Sequence, residues 1–186
     1  MISRENTILT AGDLTLRPLE VQDAPALVAA VHESMAEVMP WLSWCSPEYD
    51  LDAARAWIET LPGAWQAGIQ YGFAITTTQG GRFLGCIGLN QVNHIHRLGN
   101  LGYWVRTTAV GGGVATRAAR LAARFGFEQL GLQRVEIVVS SGNQRSQRVA
   151  QKTGAVREGI LRNRLMVRGT PHDAVMFGLI SQDLGL

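Results

Sequence analysis

The chain has 186 residues, of which 46% are hydrophobic and 17% charged, and a net charge of +2. This composition excludes disorder as the main state, and no apolar run reaches the ~18 residues of a spanning helix, which speaks against an integral membrane protein. The two cysteines, Cys45 and Cys86, cannot form a disulfide framework and the N-terminus carries no apolar signal stretch, so the expectation is one reduced, cytoplasmic domain.

Leu14 to Pro18 alternates and ends at a proline, which predicts a first strand. Asp23 to Met39 reads as a helix with Asp23 as N-cap and Pro25 in its first turn, stopped by Pro40. A loop with Trp41 and Trp44 follows. Asp50 to Trp65 predicts a second helix, interrupted near Pro62 and Gly63. Two strands, Gly72 to Thr78 and Phe83 to Val92, flank a turn at Gly80 and Gly81, and Leu98 to Arg106 is a further strand. Val114 to Leu130 has apolar residues at helical spacing and ends at Gly131. Arg134 to Ser140 predicts a strand, Asn143 to Lys152 a short helix before Gly154, and 155–161 and 174–180 two closing strands. The pattern is an α/β domain with a mixed sheet and a βαβ unit in its middle.

The segment that carries chemistry is Val110-Gly111-Gly112-Gly113-Val114-Ala115-Thr116, between a strand and the clearest helix. Glycines let backbone amides turn toward an anion, and the helix N-terminus adds unpaired N–H groups and a positive dipole end. Together they suit a phosphate or pyrophosphate, although a plain glycine turn has the same letters. Neither a P-loop lysine nor the dinucleotide fingerprint is present. Charge is divided accordingly: residues 1–96 carry 4 basic and 10 acidic side chains, residues 97–186 carry 13 and 5. The basic half lacks interleaved aromatics and a known module, so direct nucleic-acid binding is not expected.

Gly102-Tyr103-Trp104-Val105 followed by Val110 to Thr116 resembles the acyl-CoA motif Q/R-x-x-G-x-G/A of the GCN5-related N-acetyltransferases (the GNAT superfamily). Gly113 and Ala115 match its last anchors, and Val110 stands where Gln or Arg is usual. Asn143 and Ser146, followed by Gly154 and Glu158-Gly159-Ile160-Leu161-Arg162, resemble a block of the RimJ/RimL branch, as do the Trp41–Trp44 loop and His172-Asp173-Ala174-Val175. The match runs from Leu14 to Asp183.

The resemblance implies a GNAT fold, a mostly antiparallel α+β sheet, and transfer of acetyl from acetyl-CoA to a primary amine without an acyl-enzyme. Pantetheine would lie along Tyr103, Trp104 and Val105, and pyrophosphate on the amides of Gly111 to Ala115. Asn143 would hold the cofactor arm, and Ser146 would hydrogen-bond and protonate the leaving sulfur; as bare residues, both also fit a helix cap and first-turn hydroxyl. Arg117 would reach the 3′-phosphate. No metal is implied. For the general base, Asn100 occupies a position where relatives often have glutamate, which leaves His94 and His96, spaced to share a strand face, Glu136 on the cofactor-side strand unless it pairs with an arginine, or a water chain. Trp41, Trp44 and Asn100 would face the acceptor. The branch points to a protein N-terminus as acceptor; a small-molecule amine or a non-catalytic acyl-CoA-binding module are the rivals. A homodimer is possible on family grounds.

Overall fold

The computed structural model describes residues 3–186. It has eight strands, β1 Leu9–Ala11, β2 Leu14–Pro18, β3 Tyr71–Thr77, β4 Phe83–Asn93, β5 Leu98–Val105, β6 Arg134–Ser140, β7 Val156–Val167 and β8 Thr170–Leu179. Five α-helices accompany them: α1 Ala24–Glu33, α2 Met35–Val38, α3 Leu51–Gln66, α4 Val114–Glu128 and α5 Gln144–Thr153. The strands form one sheet in the order β1-β2-β3-β4-β5-β6-β8-β7. Every neighbouring pair is antiparallel except β5 and β6.

Two apolar layers cover the sheet. Leu16, Phe73, Ile75, Leu89, Leu101 and Ile137 pack against Ala118, Ala122 and Phe125 of α4. Ala74, Cys86 and Trp104 pack with Leu27 and Val31 of α1 and Ile58 and Leu61 of α3. Strand alternation sends neighbours on β5 to opposite layers: Leu101 faces α4, and Trp104 faces α1 and α3.

Several boundaries differ from the sequence reading. The first helix breaks at Ser34, where the backbone leaves helical angles and the buried hydroxyl accepts from Thr107 N at 3.0 Å. Asp23 sits at the N-cap, but its carboxylate takes two hydrogen bonds from Arg17 and one from Glu20 N instead of capping α1. Helix α3 runs straight through Pro62. That proline is exposed, while Ala54, Ile58, Leu61 and Trp65 hold the opposite face in the core, so packing outweighs one lost backbone bond. The closing strands form one long hairpin, with Val167 paired to Thr170 across Arg168-Gly169 at φ +50° and +76°. These are the angles of a two-residue hairpin turn. Its first strand is an edge, mostly exposed, so no hydrophobic alternation announced it.

Candidate active site

The parallel contact between β5 and β6 is short. Leu98, Gly99 and Asn100 pair with Arg134, Val135 and Glu136, and the strands then diverge. β5 remains bonded to β4 as far as Val105 and β6 to β8 as far as Ser140, so beyond Asn100 each presents an unused backbone edge to the other. A cavity of about 990 Å³ fills the wedge. On the other side of β5, Gly85 of β4 allows a close approach: a β-carbon there would lie 2.2 Å from Trp104 O.

At one end of the wedge lies the glycine turn. Gly113 is the N-cap of α4 at φ +72°, a conformation L-residues adopt at a cost of about 1–2 kcal/mol. Val110, Gly111 and Gly113 to Thr116 line the cavity; Gly112 does not. The amides of Val114, Ala115 and Thr116 have no acceptor inside the helix, which leaves them for an anion. Facing them, Arg145, Arg148 and Lys152 descend one side of α5 at helical spacing and also line the cavity. The turn is held from behind: Glu33 accepts from Thr108 N at 2.9 Å, from Thr108 Oγ1 at 2.8 Å and from Arg106 Nε at 3.0 Å. These partners draw the Glu33 carboxyl down to about 2, Arg106 being the largest influence.

Halfway along the wedge, Asn143 caps α5 by accepting from Ser146 N at 3.0 Å. Ser146 Oγ lies 3.1 Å from the Tyr103 hydroxyl, which also donates to Ser146 O at 3.1 Å. Burial pushes the Tyr103 phenol up to about 12, despite this contact.

A second cavity of about 520 Å³ opens on the α1 and α3 side of the sheet. Its floor is a cross-strand row, Gly72 opposite Gly88 opposite Gly102, where missing side chains leave the space. Trp44, Tyr49, Trp57 and Trp104 wall it, with Gln70, Asn90, Gln91 and Asn100 supplying amides. Trp44 packs between Tyr49 and Trp104 with its ring tilted 57° to each, at ring distances of 5.4 and 5.9 Å. Leu42, Leu101 to Trp104, Val138 and Leu165 border both cavities, so the two meet beside Tyr103. A wedge with an open strand edge and a turn of free amides, joined to an aromatic, amide-lined pocket, can bring an extended anionic donor to a polar acceptor group.

Comparison with known proteins settles the family. A profile described as an acetyltransferase (GNAT) domain matches residues 13–156. The chain belongs to the GNAT acetyltransferases. As a GNAT enzyme it is an N-acetyltransferase with acetyl-CoA as donor. It is 30% identical over 174 residues to the Bacillus subtilis protein named "Putative ribosomal N-acetyltransferase YdaF", covering 91% of this chain and 92% of that one. It is likewise 30% identical to "Uncharacterized N-acetyltransferase YoaA" of the same organism, over 93% of this chain and 96% of that one. Among solved structures, Mycobacterium smegmatis RimJ in complex with CoA-disulfide superposes with a TM-score of 0.84 at 26% identity, over 97% of this chain and 88% of that one. The resemblance to the RimJ/RimL branch therefore holds across nearly the whole GNAT chain.

Within this GNAT frame the expected site residues divide. Tyr103, Trp104, Val105, Asn143 and Ser146 all border the first cavity. Trp44 and Asn100 line the second, whereas Trp41 turns to the first, its ring over Gly142. Asn100 donates to Asn90 Oδ1 at 2.9 Å, and its own buried Oδ1 has no partner among the described residues. His94 and His96 lie exposed in the turn between β4 and β5, outside both cavities, so the shared strand face does not arise. Arg117 is tied to Asp13 and borders neither cavity, whereas Arg145, Arg148 and Lys152 of α5 line the first. Glu136 pairs with Arg134 at 2.9 Å. Burial raises both cysteine thiols, opposite to what a nucleophilic thiolate needs. Sequence reasoning missed Arg168, which donates to Cys45 O at 2.6 Å and pins the tryptophan loop. The only signal for it was an arginine in a turn position before Gly169.

Proposed function

We propose that this enzyme acetylates a protein N-terminal α-amine by direct attack on acetyl-CoA in the β5/β6 wedge. The observation that carries this reading is that, among the described residues, no carboxylate and no histidine lines the acceptor cavity. With no base lining that cavity, an acceptor that arrives already neutral is favoured. At pH 7.5 about a third of α-amino groups with a pKa of about 7.8 are neutral, against about 0.1% of alkylamines at about 10.4. A polyamine would also lack the acidic partners its charges require. The branch relatives, one named for ribosomal acetylation and one a RimJ, point the same way.

The residues present fit the donor. The free edge of β5 from Leu101 to Val105 would pair with an extended amide-bearing arm, the amides of Gly113 to Thr116 would take the pyrophosphate, and Arg145, Arg148 and Lys152 would face the remaining phosphate. Because Val110 offers no side-chain donor, the cradle acts through main-chain groups. In the reaction the amine lone pair forms the N–C bond, the C–S bond breaks, and the proton shed by the amine leaves through solvent. Ser146 then donates a hydrogen bond to the departing sulfur. A thiol has an ordinary pKa of about 8.5, so neither the serine nor the Tyr103 phenol is acidic enough to hand it a proton. Ser146 stabilises the thiolate as the hydrogen-bond donor, and Tyr103, giving its one proton to Ser146, holds the serine in place.

The test is calorimetric titration with acetyl-CoA, followed by CoA release with N-terminal peptides and with spermidine. One-site binding and turnover of free, but not N-blocked, peptides is the expected result. Binding without turnover of any amine would instead indicate an acyl-CoA-binding module, and preference for spermidine would overturn the α-amine assignment.

A further inference from the structure

Among the described residues, the acceptor cavity has a single formally charged lining residue, Arg164. Six arginines elsewhere, Arg17, Arg55, Arg106, Arg117, Arg124 and Arg134, are matched by carboxylates within the fold. Among the described residues, Arg164 has neither an ion pair nor a side-chain hydrogen bond.

Its placement is built into β7. Between the Leu161–Ala174 and Leu165–His172 pairs, β7 advances four residues while β8 advances two. Asn163 takes φ +51° inside this bulge, and its N–H donates to Asp173 Oδ1 at 2.9 Å. Bulges redirect side chains relative to the regular alternation of a strand. Here Arg164 and Leu165, adjacent in sequence, both reach the same cavity, which a regular strand would not allow. The sole carboxylate of this segment, Asp173, is occupied in fixing the bulge.

We infer that Arg164 makes the acceptor cavity selective for amines that carry a negative charge close by, in the first instance peptides with Asp or Glu just after the N-terminal residue. The inference deepens the α-amine reading and rests on it. The physical reason is that an unpaired guanidinium beside an aromatic pocket without acids favours a carboxylate or phosphate and disfavours a second cation. Electrostatic selection of this kind also discriminates against wrong acceptors.

The experiment compares kcat/KM for Ser-Glu-Ala-Ala, Ser-Ala-Ala-Ala and Ser-Lys-Ala-Ala by CoA release, with O-phosphoethanolamine and ethanolamine as a small-molecule pair. Quenching of cavity tryptophan fluorescence gives peptide binding as a second readout. The acidic peptide is expected to exceed the basic one by roughly tenfold, the scale of one partly exposed charge-assisted hydrogen bond. Arg164→Gln should erase the ratio and Arg164→Glu should invert it. Equal kcat/KM and equal binding across the three peptides would overturn the inference and leave the α-amine reading intact. Turnover of O-phosphoethanolamine over ethanolamine, with all peptides inert, would sustain the charge selection and overturn the N-terminal acceptor. Retention of the acidic preference in Arg164→Glu would show that Arg164 is not its source.

Discussion

Replacing Tyr103 by Phe removes one hydroxyl from the meeting point of the two cavities. That hydroxyl contacts Ser146 Oγ and Ser146 O, each at 3.1 Å. The carbonyl keeps its own helical partner one turn on in α5, so the fold loses little. What changes is the orientation of the serine. A neutral hydrogen bond contributes about 0.5–1.5 kcal/mol net, which corresponds to about a two- to twelvefold fall in kcat if the serine orientation is needed in the transition state. Because Tyr103 acts through Ser146, the loss should vanish in a Ser146→Ala background, and the double-mutant cycle should be far from additive. The assay is steady-state CoA release with a turned-over peptide, alongside calorimetric affinity for acetyl-CoA, which should hold in all three variants. An unchanged kcat in Tyr103→Phe, or full additivity with Ser146→Ala, would refute the reasoning and reduce the contact to packing.

Three further outcomes follow from the same geometry. Gly113→Glu places a side chain at φ +72° and a carboxylate against the anion cradle; like-charge contact is worth several kcal/mol, so CoA affinity should fall by about a hundredfold or more in calorimetry, and retained affinity would remove the turn from the binding site. Arg168→Ala leaves the carbonyl of buried Cys45 without its 2.6 Å donor, costing about 1–3 kcal/mol, or about 2–10 °C in Tm by calorimetric scanning; no shift would mean the tryptophan loop is held otherwise. Glu33 has a folded pKa near 2 against an ordinary value of 4.5, so its contribution is present above 4.5 and drains away as pH falls toward 2. The Tm difference between wild type and Glu33→Gln should therefore shrink across that window, and a pH-independent difference would contradict the assignment.

Much of this site was legible from local letters. The glycine turn, the helix behind it and the Asn143 cap depend on residues within one or two turns of each other, so sequence spacing carries their geometry. The resemblance to the RimJ/RimL branch rested on the same short blocks. Other features depend on register between distant strands. Gly72, Gly88 and Gly102 are unremarkable singly, and only pairing of β3, β4 and β5 lines them up into a pocket floor. Trp41 and Trp44 are three residues apart in one loop, yet the fold sends them to different cavities.

The sequence by itself therefore determined the glycine turn before α4, the family and most of the order of elements (strand β1 and the break between α1 and α2 excepted), because each is written in contiguous residues whose backbone preferences are local. Tertiary structure alone decided which side chains meet. It joined Tyr103 to Ser146 across 43 residues, tied Arg117 to Asp13 away from the wedge while the α5 basic stripe lines it, and left His94 and His96 in solvent. The reason is physical: strand divergence after three parallel pairs, and a bulge two residues deep in β7, are properties of the assembled sheet that no single segment encodes.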